Sequence, residues 1–122
     1  MDYTIAAHDT PAADAARETL VEERWMEFSA WEDGKVDFYL NEDGEVVAYV
    51  RWDDKAEDGL AFFEVRSTGC GLGTEIIEAL KEQRPNLFIS GELNSKACAR
   101  FWHRMGLVGD EVELYDGRIV RF

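Results

Sequence analysis

The chain has 122 residues, 46% of them apolar, four Trp and a net charge of −13. That length suits one domain with a sizeable core and the composition excludes a disordered chain. No apolar run reaches the roughly 20 residues of a bilayer span, and a strongly acidic surface would repel nucleic-acid phosphates.

The same charge would attract a cationic partner. The acidic residues are spread along the chain, however, and the lysines are only Lys35, Lys55, Lys81 and Lys96, so solubility or a salty cytoplasm explains the balance equally well. Cys70 and Cys98 fall in no CxxC or Cys/His spacing, and His8 and His103 stand apart. No basic segment followed by an apolar one opens the sequence. A reduced, cytoplasmic protein without a metal site is expected.

The chain reads as a single domain over residues 1–122. A short first strand is expected in "YTIAA" within Met1 to Asp9. Thr10-Pro11 then reads as a helix start, with Thr10 as N-cap. Residues 11–31 keep Leu20, Val21, Trp25, Phe28 and Trp31 near one face, which fits one or two helices. Strands follow at "VDFYL" (Val36 to Leu40), "VVAYVRW" (Val46 to Trp52) and "LAFFEV" (Leu60 to Val65). Asp43-Gly44 marks the first hairpin and "DDKAEDG" the second. From Leu72, the residues Leu72, Ile76, Ile77 and Leu80 follow helical spacing until Pro85. "NLFISGEL" (Asn86 to Leu93) reads as a buried strand, parallel to "LAFFEV" because a helix connects them. Ser95 to Met105 reads as a helix with Ala97, Cys98, Phe101, Trp102 and Met105 as its apolar stripe, ended by Gly106. Asp116-Gly117 turns a closing hairpin, "EVELY" to "RIVRF".

The stretch that carries chemistry is "VRSTGCGLGTEII", Val65 to Ile77. Glycine lets other groups approach the main chain, and a helix start offers free N–H groups and a positive dipole end, which together suit phosphate. A tight strand-to-helix turn without a ligand is the plainer alternative. A P-loop is excluded, because no Gly-Lys-Ser/Thr follows. A dinucleotide fingerprint would need Gly or Ala where Thr74 stands, and more than one βαβ unit, although Glu92 falls about where a ribose-binding acid would.

"RSTGCG" (Arg66 to Gly71) resembles R-x-x-G-x-G, the pyrophosphate loop of the GNAT superfamily of N-acetyltransferases. The element order is similar too, and "NSKACARFWHRMGL" (Asn94 to Leu107) resembles the family's Asn, aromatic-bearing helix and Gly after the fifth strand. The resemblance implies an α+β (mixed α/β) acyl-CoA N-acyltransferase fold: a central mixed sheet with an antiparallel meander, one βαβ crossover and flanking helices. The departures are that Val65 abuts Arg66 directly, that Trp102 stands where many members carry a catalytic Tyr, and that Ser95 rather than Asn94 occupies the usual Asn position by count from Gly106.

By the same resemblance, acetyl-coenzyme A is the expected co-substrate, held where the fourth and fifth strands splay apart. Phe63 to Val65 would pair with its pantetheine arm. Ser67, Thr68, Gly69, Cys70, Gly71, Gly73 and Thr74 would take the pyrophosphate, with Arg66 adding charge. Asn94, Ser95, Phe101 and Trp102 would line the cofactor from the last helix. The acceptor would be an amine, on a cationic small molecule or a protein lysine or N-terminus. Glu64 and Glu92, on the two strands flanking the cleft, are the candidate general bases, and their register is left open by the sequence. Tyr39, Tyr49 and Tyr115 are candidate substitute acids, and Cys98 reads as core. A fold of this kind that binds coenzyme A or a basic protein without turnover is the alternative.

Overall fold

The computed structural model describes residues 3–22, 35–65, 71–91 and 93–122. The expected N-cap Thr10 and the helix-face residue Leu20 are among them, whereas Trp25, Phe28, Trp31 and the side chain of Val21 lie outside the described residues.

Strand β1 (Thr4–Ala6) leads into helix α1 (Pro11–Glu22). Asp9 makes the corner with φ of 63°. The Thr10 hydroxyl accepts the Ala13 N–H at 3.2 Å, which satisfies one of the orphan donors of the helix start. Strands β2 (Lys35–Leu40), β3 (Val46–Trp52) and β4 (Gly59–Val65) form the expected antiparallel meander. Asn41 closes the β2–β3 turn by accepting the N–H groups of Asp43 and Glu45, with Gly44 at φ of 78°. Helix α2 (Leu72–Gln83) crosses over to β5 (Phe88–Ile89), which pairs parallel to β4. Helix α3 (Lys96–Arg104) and the hairpin of β6 (Glu111–Glu113) and β7 (Ile119–Arg121) complete the order. The main sheet runs β1-β2-β3-β4-β5, and β6-β7 is a separate two-stranded sheet.

The core lies on both faces of the main sheet. On one face Val36, Phe38 and Tyr49 pack under Ala13, Ala16 and Leu20 of α1. On the other, Tyr39, Val50, Trp52 and Leu60 pack against Leu72, Ile76, Ile77 and Leu80 of α2 and against Ala99, Trp102 and Met105 of α3. Strand alternation sends successive side chains to opposite layers. The two helices of the second layer are tied together where Lys81 donates to the Met105 carbonyl at 2.7 Å, at the negative end of α3.

Three expectations are corrected. The fifth strand is not an eight-residue buried strand. Among the described residues it pairs at Phe88 and Ile89 alone, and Phe88 is 44% exposed. Helix α3 starts one residue after Ser95, because the Ser95 hydroxyl accepts the Cys98 N–H at 3.1 Å as an N-cap. Its buried alanine is Ala99, while Ala97 is exposed, because the layer beneath α3 faces the Ala99–Trp102 side of the helix.

Candidate active-site cleft

The register of β4 shifts between Leu60 and Phe62. Trp52 stands opposite Leu60 and Arg51 opposite Phe62, so Ala61 is an extra residue on β4. Such a bulge bends its strand. On the other edge, β5 keeps pace only briefly: Gly59 faces Phe88, Leu60 faces Ile89, and the Ser90 N–H donates to the Leu60 carbonyl at 3.0 Å. Then Gly91 meets the bulge. A Cβ on Gly91 would lie 1.8 Å from the Ala61 carbonyl oxygen, so only glycine fits there. Beyond this contact no strand pairs that edge of β4 among the described residues, and a cleft of about 220 Å³ opens. Leu60 to Phe63 form one wall, Ile89, Gly91 and Leu93 the other, and Asn94, Ser95, Cys98 and Trp102 close it from α3.

The bulge also resets which way β4 side chains point. Phe63 faces the α2 and α3 layer. Its ring stacks on Phe101 with centroids 6.2 Å apart and meets Trp102 edge-on at 5.7 Å. Phe101 and Trp102 are themselves edge-to-face at 4.9 Å. Phe62 and Glu64 point to the opposite, α1 face. Phe62 stacks on Tyr49 at 5.8 Å, and the Tyr49 hydroxyl donates to Glu64 Oε2. Burial, then the hydrogen bond and charge of Glu64, push the Tyr49 phenol far above its ordinary value. Its proton is therefore committed to Glu64.

The other expected site residues divide as follows. Gly71 is the N-cap of α2 at φ of 76°, and a Cβ there would meet nothing within 4 Å among the described residues. Having no side chain, it cannot cap the first-turn N–H groups of Leu72, Gly73 and Thr74. Gly73 lies against Phe63 and Phe101, with a Cβ position 3.7 and 3.8 Å from their rings. Thr74 is exposed on the same turn, and Val65 ends β4 packed beside the larger core cluster. Arg66, Ser67, Thr68, Gly69, Cys70 and Glu92 lie outside the described residues. Ser95 spends its hydroxyl on the helix cap, while exposed Asn94 lines the cleft beside it. Trp102 is 5% exposed and packs in the core at the cleft wall. Tyr39 is buried against Tyr3 and Tyr115 is exposed, and neither lines the cleft. Cys98 is half-buried on the cleft wall rather than in the core.

Gly91 and Tyr49 are the two positions that sequence reasoning missed in these roles. An isolated glycine inside a strand pattern, "ISGEL", was the available signal for close backbone approach. Nothing local marks Tyr49, because its partner is set by a cross-strand register.

No protein-family model matches the chain, and no curated protein matches its sequence. Solved structures do match. A Pyrococcus furiosus protein provisionally described as an acetyl transferase superposes with a TM-score of 0.55 at 15% identity, over 96% of this chain and 99% of its own. A Deinococcus radiodurans protein, likewise provisionally described as an acetyltransferase, gives 0.54 at 16% identity, over 93% and 87%. The apo form of YjaB from Escherichia coli gives 0.53 at 14% identity, over 86% and 82%. The fold is that of the GNAT acetyltransferases. At these identities the likeness speaks for the fold, and the chemistry has to be argued from the cleft. A strand edge without a partner among the described residues can accept an extended amide-bearing arm, and a helix start capped by glycine can accept phosphate.

Proposed function

We propose that the chain is an N-acyltransferase that moves an acetyl group from acetyl-coenzyme A to a primary amine in a ternary complex. The observation that carries this reading is the parting of β4 and β5 at Ala61 and Gly91, which exposes an edge on β4, the strand that precedes α2 in the chain. The co-substrate supplies an activated acyl group as a thioester. The chain's own groups do the rest. The free edge of β4 from Phe62 to Val65 orients the amide-bearing arm and offers an N–H to developing negative charge on the carbonyl oxygen. The first-turn N–H groups of α2, with Gly69, Gly71 and Arg66, hold the phosphates. Phe63, Phe101 and Trp102 exclude water on one side. Glu64 on the other face, or Glu92, accepts the amine's proton so that the neutral amine attacks.

The charge supports a cationic amine as the acceptor. A net charge of −13 draws a protonated amine in, and a carboxylate is then needed to take its proton. The cofactor is anionic, so the α2 start and Arg66 offset the general repulsion locally.

A second reading, coenzyme A binding without turnover, is favoured by Trp102. An indole cannot protonate a departing thiolate, and this one is buried in the core. Calorimetry with acetyl-coenzyme A, followed by a thiol-release assay over a panel of amines, tests both. Binding with release supports transfer. Binding without release on any amine leaves the second reading. Binding of NAD or ATP in place of coenzyme A overturns both.

A further inference from the structure

We infer that Tyr49 is the positioning residue for Glu64: it reaches across from β3 and holds the carboxylate on the α1 face of β4, the strand that forms one wall of the cleft. The inference rests on the proposed role of Glu64 as proton acceptor, and it names a residue that role would otherwise lack.

The geometry behind it is specific. Tyr49 and Glu64 are directly opposite in the β3–β4 register, so their side chains leave the sheet at the same place and on the same face. Tyr49 is fully buried. Its ring is clamped between Phe38, at 6.4 Å, and Phe62, which lies nearly parallel to it at 16°. A glutamate alone has three rotatable bonds and wanders. Bonded to a ring that cannot move, one of its oxygens is fixed. Phe62 links the pair to the site, because the residue whose ring stacks on Tyr49 also lines the cleft.

The direction of the bond decides what it does chemically. A carboxylate only accepts, so the phenol donates. Donation favours the anionic carboxylate over the protonated one. Other charged groups belong to this layer. Arg51 lies two residues along β3, on the Tyr49 side of the strand, and Arg17 lies on α1. Each has a buried Nε without a hydrogen-bond partner among the described residues. The Tyr49 phenol touches the carboxylate directly.

The test compares Glu64→Gln with Tyr49→Phe, which keeps the ring stack and removes only the hydroxyl. Rates are measured from pH 5 to 9 under saturating acetyl-coenzyme A. Glu64→Gln should lose about 10²-fold or more in kcat, as for a lost general base. Tyr49→Phe should lose about tenfold in kcat, leave KM for acetyl-coenzyme A within about twofold, and move the acid limb of the profile to higher pH. A purely structural tyrosine would leave that limb in place. If Glu64→Gln is crippled while Tyr49→Phe keeps both kcat and the limb, the inference is overturned and the base role stands. If Glu64→Gln is fully active, the base role itself falls and takes the inference with it. Should Tyr49→Phe melt below the assay temperature, 3-fluorotyrosine at position 49 reads the same bond. Its more acidic phenol donates more strongly and should shift the limb to lower pH, and an unmoved limb overturns the inference.

Discussion

Gly91 and Ala61 touch through their main chains, with no room for a single methyl group between the Gly91 α-carbon and the Ala61 carbonyl oxygen. The bulge on β4 and the glycine on β5 are therefore one device. The first thrusts a carbonyl towards its neighbour, and the second lets the neighbour arrive and then turn away.

Gly91→Ala should be among the most damaging small substitutions in the chain. Its Cβ would sit 1.8 Å from backbone, which side-chain repacking cannot relieve. Overpacking of this kind costs about 1–3 kcal/mol or more. Urea denaturation should show a loss of at least about 2 kcal/mol relative to the parent. A midpoint shift too small to measure would mean that β4 and β5 are not in contact there.

Two glycines of the α2 start should respond with opposite signs. Gly71 sits at φ of 76°, so alanine there is strained although space is open, and about 1 kcal/mol is lost. Gly73 is helical, and its Cβ would make ordinary contact with Phe63 and Phe101. Gly73→Ala should gain about 0.5–1 kcal/mol. Thermal melts of the two variants check this, and equal shifts would contradict the assigned N-cap.

Ser95 and Asn94 should separate stability from binding. Ser95→Ala removes the α3 cap and should cost about 1 kcal/mol, with little change in coenzyme A affinity. Asn94→Ala touches no described hydrogen bond and should leave the melting temperature unchanged while weakening coenzyme A in calorimetry. The reverse pattern would move the binding role to Ser95.

Those three tests mirror what the sequence could and could not reveal. The helix starts at Thr10 and Leu72, the Asp43-Gly44 turn and the closing hairpin were all legible, because each depends on residues within a few positions of one another. The facing of Glu64 was not. Simple alternation from buried Leu60 would put Phe62 and Glu64 on Leu60's face, but the extra residue at Ala61 reverses the count. A bulge is a relation between two strands, and neither carries its full signal. The short β5 was hidden for the same reason: Gly91 ends the pairing because of a carbonyl some thirty residues earlier in the sequence. On α3, Ala97 and Ala99 flank the same stripe, and only the layer beneath decides which is covered.

Alkaline pH should weaken the fold more than charge repulsion alone would. Burial raises the phenols of both Tyr39 and Tyr49 above the ordinary tyrosine value, with the charge of Asp37 adding at Tyr39 and the Glu64 hydrogen bond at Tyr49. A raised value in the folded state means that the fold prefers the protonated form. The stabilisation is complete below the unfolded value of about 10 and declines as pH rises past it. Urea midpoints should therefore hold up to about pH 9.5 and fall beyond, and the fall should be shallower in Tyr49→Phe. Tyrosinate absorbance that rises fully before unfolding would show these two phenols to be ordinary.

The order of strands in the main sheet, β1-β2-β3-β4-β5, is also their order in the chain. Strands β2, β3 and β4 are joined by short turns, the kind of local pairing that assembles quickly. Strands β1 and β5 join the meander only across α1 and α2, and β5 has the fewest residue pairs, at Phe88 and Ile89. The edge that makes the cleft is thus the most weakly paired part of the sheet. Opening at β5 requires the least disruption of the rest, so the wall of the proposed site can part and rejoin while the meander beneath α1 stays folded.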